Sequence, residues 1–126
     1  MNTQSADVQA PDVQSLIAAA RALAPSLRAR AAETDALRRL PDENVGEMKQ
    51  AGLFRVIQPA RCGGWQMDFH AHLEIVEEVA AGCGSSGWCL GVQQIHSWVA
   101  GLLTEQAQND IYHEDPDALI AAVLNP

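Results

Sequence analysis

The sequence predicts an all-α domain of five or six helices, and three observations carry that prediction. Apolar residues recur three and four apart over most of the chain, the period of a helix with one buried face. Alanine and leucine, both strong helix formers, lead the apolar set. Proline, glycine and capping residues fall between the periodic segments, where helices start and stop.

Composition narrows the class further. A chain of 126 residues holds one small domain, and a hydrophobic share of 48% can supply its core. The net charge of -8 argues against nucleic acid or an anionic membrane surface as partner, since both select basic patches. No apolar run approaches the ~20 residues of a membrane span. The opening MNTQSADVQAPD lacks the basic and apolar regions of a secretory signal. Three cysteines, an odd number, read as reduced thiols in a cytoplasmic protein rather than as a disulfide framework.

The elements follow in order. Residues 1–11 are polar and read as a disordered tail. Residues 12–117 form the helical domain. From Val13 to about Leu40 the pattern is helical, with Pro25 predicting a kink or break near Leu23–Ala24. Pro41, Asp42 and Glu43 suit the first turn of a new helix, and Gly52 suits its C′ position. Leu53–Pro59 is irregular or extended, and Arg61–Trp65 a turn. Asp68 caps a helix to about Ala81, with Leu73, Val76 and Val79 inward and Glu74, Glu77 and Glu78 outward. Thr104 caps a short helix through Ile111 and Tyr112. Residues 118–126 begin with ALIAAVL, apolar enough for a buried strand, and read as a linker or first strand toward a β-domain that the chain does not contain.

The organising stretch is Gly82–Leu103, GCGSSGWCLGVQQIHSWVAGLL. It reads as one helix capped by Ser85 or Ser86. Trp88, Val92, Ile95, Val99 and Leu102 make its apolar face, and Cys89, Gln93 and His96 a more polar stripe beside it. Gly82, Gly84, Gly87 and Gly91 crowd its start. Each glycine costs about 1 kcal/mol against alanine inside a helix, so another helix or a flat ligand must approach the backbone closely there.

Several chemistries are weak on spacing. The cysteines and histidines show no CxxC or HxxxH pattern, so no metal site is expected. Cys89 and His96 share a helix face but stand about 10 Å apart along its axis, too far for direct thiol activation. CGGW and GCGSSG follow no clear strand and are poor phosphate loops. His96 stays open between two readings. A lone histidine on an apolar helix is more often a satisfied core group, yet imidazole is the side chain suited to proton exchange near neutral pH.

Residues 40–103 resemble the N-terminal helical domain of the acyl-CoA dehydrogenase superfamily, and more narrowly its flavin-dependent, two-component monooxygenase branch, which includes the oxygenase component of para-hydroxyphenylacetate hydroxylase; the resemblance covers roughly residues 13–126. The matching features are AGLF at Ala51–Phe54, Pro59, Gly63 and Gly64, then GSSGW at Gly84–Trp88 and HSW at His96–Trp98. The resemblance implies a fold in which this domain precedes a β-domain and a four-helix bundle, usually as a tetramer. It implies reduced FMN or FAD delivered by a separate reductase, and hydroxylation of an aromatic or polyketide-like substrate with O2. It implies that His96 is catalytic toward a phenolic hydroxyl, with Trp88, Gly87, Ser86 and Gln93 around the flavin or substrate pocket. A dehydrogenase acting on a CH–CH bond, or a non-catalytic helical interaction module, are the alternatives.

Overall fold

The computed structural model describes residues 9–123, and every regular element in them is helical. The order is α1 (Val13–Ala29), α2 (Ala31–Leu37), α3 (Asp42–Gln50), two single 3₁₀ turns at Leu53–Arg55 and Ala60–Cys62, α4 (Phe69–Gly82), α5 (Gly84–Ala100) and α6 (Glu105–Tyr112). Most of the tail expected at residues 1–11 lies outside the described residues, as does the end of the ALIAAVL run.

The helix starts and stops follow the cap chemistry closely. Asp68 accepts from the Ala71 backbone N–H and Thr104 from that of Ala107, each satisfying one of the free donors of a first turn. Gly52 closes α3 in the left-handed region at φ 74°. The serines do not cap α5: its N-cap is Cys83, without a side-chain bond. Nor does Pro25 break α1, which runs on to Ala29. Helix α1 lies along α4, with Leu16, Ile17, Ala20 and Leu27 buried in the core. Burial of that magnitude exceeds the ~3 kcal/mol cost of an internal proline. The chain bends instead at Arg30, whose guanidinium donates to Asn44 Oδ1 and Glu47 Oε2, both at 2.6 Å, and so fastens the bend to α3.

The core joins α1, α3, α4 and α5 through Leu27, Met48, Leu53, Ile75, Val79 and Leu90, all fully buried. The approach of α4 to its neighbours depends on two glycines. A methyl on Gly82 would lie 2.6 Å from the Ala24 backbone, and one on Gly87 2.5 Å from Ala80 Cβ. Close crossing explains why the expected faces are displaced. The inward stripe of α5 is Ser86, Leu90, Gln94, Ser97 and Ala100, where small or hydrogen-bonded groups flank the one large aliphatic chain, Leu90, while Trp88 and Leu102 are exposed and Val92 and Ile95 half-buried. On α4, Ala71, His72, Ile75 and Val79 point inward, and Leu73, expected inside, is 61% exposed.

The ALIAAVL run is not a buried strand over its described part. Residues 118–123 carry no regular structure, and Leu119 and Val123 are exposed. A strand needs a partner edge to satisfy its backbone, and the described residues contain none. The segment is held instead by side chains. Arg55 Nε donates to Asp117 Oδ1 at 2.7 Å, and Gln58 Nε2 to the Pro116 carbonyl at 2.9 Å. Ala118 and Ile120 pack on a small second cluster of Cys62, Ala100 and Tyr112.

Candidate active-site groove

Helices α4 and α5 part along one side to leave an open groove of about 550 Å³, lined by His72, Val76 and Ala80 from α4 and by Gly84, Gly87, Trp88, Gly91, Val92, Ile95 and His96 from α5. The glycines and alanine keep the backbones close and the floor shallow. Trp88, 74% exposed, stands as a free aromatic wall. His96 is half-buried and lines the groove.

The tautomer of His96 is set by its partner. Nδ1 lies 2.9 Å from the Ile120 carbonyl oxygen. A carbonyl oxygen only accepts, so in neutral imidazole the proton must sit on Nδ1 and the lone pair on Nε2. Nε2 has no partner among the described residues, and it is the atom able to accept a proton from a ligand hydroxyl.

The other expected site residues divide. Gly87 and Trp88 line the groove with His96. Ser86 does not: it is fully buried, and its Oγ accepts from Asn44 Nδ2 at 3.1 Å. Gln93 is also absent from the groove, half-buried, with Nε2 enclosed and unpartnered. Ser86 is one and two residues from the wall positions Gly87 and Trp88, and a step of ~100° per residue is enough to carry a side chain from the open face to the closed one. Two participants escaped the sequence reading: the Ile120 carbonyl, a backbone atom with no residue signature, and His72. The latter shares the inward stripe of Ala71, Ile75 and Val79, a pattern visible in the spacing. His70, two residues away, points outward to Glu74 at 2.7 Å. No group of three or more His, Cys, Asp or Glu among the described residues is placed to hold a metal ion.

The groove's walls come from residues of α4 and α5 alone. They are apolar apart from the two imidazoles, so they offer nothing to the phosphate of a flavin, which other groups would have to hold. A second cavity of about 580 Å³ lies on the other side of Trp88, lined by Thr34, Asp35, Arg38, Arg39 and Leu40 with Gly84, Ser85 and Cys89.

Comparison with known proteins adds a lineage. Residues 11–112 match the family model described as acyl-CoA dehydrogenase, N-terminal domain. The chain is 39% identical over 105 residues to the oxygenase subunit HsaA of a flavin-dependent monooxygenase from Rhodococcus jostii, covering 83% of this chain and 28% of that one. It is 31% identical to the oxygenase component of an FADH(2)-dependent resorcinol hydroxylase from a Rhizobium species, covering 88% and 27%. The crystal structure of the HsaA monooxygenase from M. tuberculosis superposes with a TM-score of 0.82 at 39% identity, over 85% of this chain and 29% of that one. The chain thus spans under a third of the length of these relatives.

Proposed function

Since the chain belongs to the acyl-CoA dehydrogenase N-terminal domain family, we propose that it supplies the substrate-side wall of a flavin-dependent monooxygenase that hydroxylates a phenolic substrate. The observation that carries this reading is His96: a proton-accepting Nε2, oriented through Nδ1, beside an apolar groove walled by a free tryptophan. Relatives named as flavin-dependent monooxygenase and resorcinol hydroxylase oxygenase components support it. In such an enzyme reduced FMN or FAD, supplied by a separate reductase, provides the oxygen-transfer chemistry. The residues of this chain do the rest. Trp88, Val92 and Ile95 hold the ring and exclude water. His96 Nε2 accepts the hydroxyl proton, which raises electron density on the ring carbons to be oxygenated, and the Ile120 carbonyl stabilises the imidazolium that forms. Positioned general bases contribute about 10²–10⁴-fold. The three free cysteines fit a reducing compartment such as the cytoplasm, and the exposed Trp88, Leu73 and Leu102 fit burial by the remainder of an oxygenase or by further subunits of a homo-oligomer such as a tetramer.

The test is kinetic, in the full-length oxygenase that carries this domain. His96→Asn should lower hydroxylation of a phenol by about 10²–10⁴-fold and remove the limb of the pH–rate profile that reports the base, with oligomer size unchanged. An unaltered rate and profile would overturn the assignment.

A further inference from the structure

The groove holds a second imidazole whose state is dictated from behind. Gln94 is fully buried, and its Nε2 donates to the Leu53 carbonyl at 2.6 Å. Since that carbonyl can only accept, the amide cannot be flipped, and its Oε1 must be the atom facing His72 Nδ1, with which it is hydrogen-bonded. An amide oxygen also only accepts. The proton of neutral His72 is therefore on Nδ1, and Nε2 carries the lone pair. His72 is 6% exposed and lines the groove. Its Nε2 takes no partner among the described residues, yet it is not one of their enclosed, unpartnered polar atoms. Phe69 packs edge-on against His72 at 5.8 Å and against Trp98 at 5.2 Å.

From this relay we infer that His72 is a second ligand-binding residue of the groove, an acceptor that selects aromatic ligands bearing hydroxyl donors over equally apolar ones without them. The inference rests on the proposed role of the groove and sharpens its substrate class. Leu53 orients Gln94, Gln94 orients His72, and His72 Nε2 receives a hydroxyl hydrogen at the groove floor, as His96 Nε2 does at the rim. The two acceptors sit on different helices, α4 and α5, and both are tied through Nδ1 to oxygens that only accept. Such a site rejects a ring lacking the donors, because its desolvated acceptors would be left unpaired.

The experiment uses this chain labelled with ¹⁵N, and observes the imidazole nitrogens by long-range ¹H–¹⁵N correlation while resorcinol is added. The matched control is 1,3-dimethoxybenzene, the same ring without O–H donors. The expected result is His72 in the Nδ1–H form throughout, a resorcinol-dependent shift of His72 Nε2, and no such shift with the ether, which moves only the methyls of Val76, Val92 and Ile95. Gln94→Leu should release the tautomer to a mixture, and His72→Phe should weaken resorcinol binding about tenfold while strengthening that of the ether, which no longer leaves an acceptor unpaired. A response of His96 Nε2 without one at His72 would overturn this inference and leave the groove reading standing. Silence at both nitrogens and at the methyls would overturn both.

Discussion

His96 Nδ1 and the Ile120 carbonyl oxygen are 2.9 Å apart across 24 residues of chain. The bond joins the middle of α5 to a segment without regular structure, and so makes the ring's orientation depend on where residues 115–120 are anchored. The anchor is ionic. Arg55 donates to Asp117 at 2.7 Å and to the Gly63 carbonyl at 3.0 Å, and lies over the Trp65 ring at 5.7 Å.

That anchor predicts an acid transition near the histidine. The hydrogen bond from Arg55 is the main cause holding the Asp117 carboxyl below its ordinary value, against an opposing effect of burial. A carboxylate with a lowered folded-state pKa stabilises the fold above the ordinary carboxylate range, and the benefit is lost as pH falls through the lowered value. The Ile120 amide should therefore show a titration step below about pH 4, absent in Asp117→Asn. A step in the wild type at or above the ordinary aspartate range would contradict the anchoring.

Close approach of α4 and α5 predicts intolerance at Gly87. A methyl there meets Ala80 Cβ at 2.5 Å and Ala80 Cα at 2.7 Å, and neither atom can swing aside. Gly87→Ala should cost about 1–3 kcal/mol in chemical denaturation, the range for overpacking, despite the better helix propensity of alanine. Gly84→Ala, with nothing within 4 Å, is the control and should be neutral or stabilising.

Thiol chemistry should single out Cys89. It is the exposed cysteine, whereas Cys62 and Cys83 are buried, and it borders the cavity beside Trp88. Partial burial, with a smaller contribution from Cys83, pushes its pKa above the ordinary thiol value. The thiolate fraction at neutral pH is therefore reduced. Iodoacetamide should label Cys89 first, but more slowly than a free cysteine, with the rate still climbing above the ordinary thiol range. Labelling of Cys62 or Cys83 ahead of Cys89 in the folded chain would contradict this.

The elements were legible because their signals are local. Asp68, Thr104 and Gly52 act within one turn of where they sit, and each does in the structure what its residue type allows. Helix faces were less legible where two helices cross closely. There volume decides over hydrophobicity, so Ser86 and Ser97 turn inward while Trp88 turns out. Pro25 misled for a related reason, since a local penalty was outweighed by contacts from α4, far along the chain. His96, Trp88 and Gly87 could be named from the sequence as groove residues. Ser86 and Gln93 lie a fraction of a turn away from the groove's lining, and the Ile120 carbonyl could not have been read at all, because nothing in a side chain marks which backbone oxygen a distant histidine will meet.

The account turns on a proton moving from a bound phenol to His96 Nε2. Its most direct test is the spectroscopic pKa of 4-nitrophenol, a phenol with a distinct phenolate absorption, bound to this chain. The account predicts that binding lowers that pKa by about a unit or more, the size expected from pairing with an adjacent cation, and that His96→Asn abolishes the shift while the ring still binds. A bound phenol that titrates as it does in free solution, in wild type and variant alike, would contradict it.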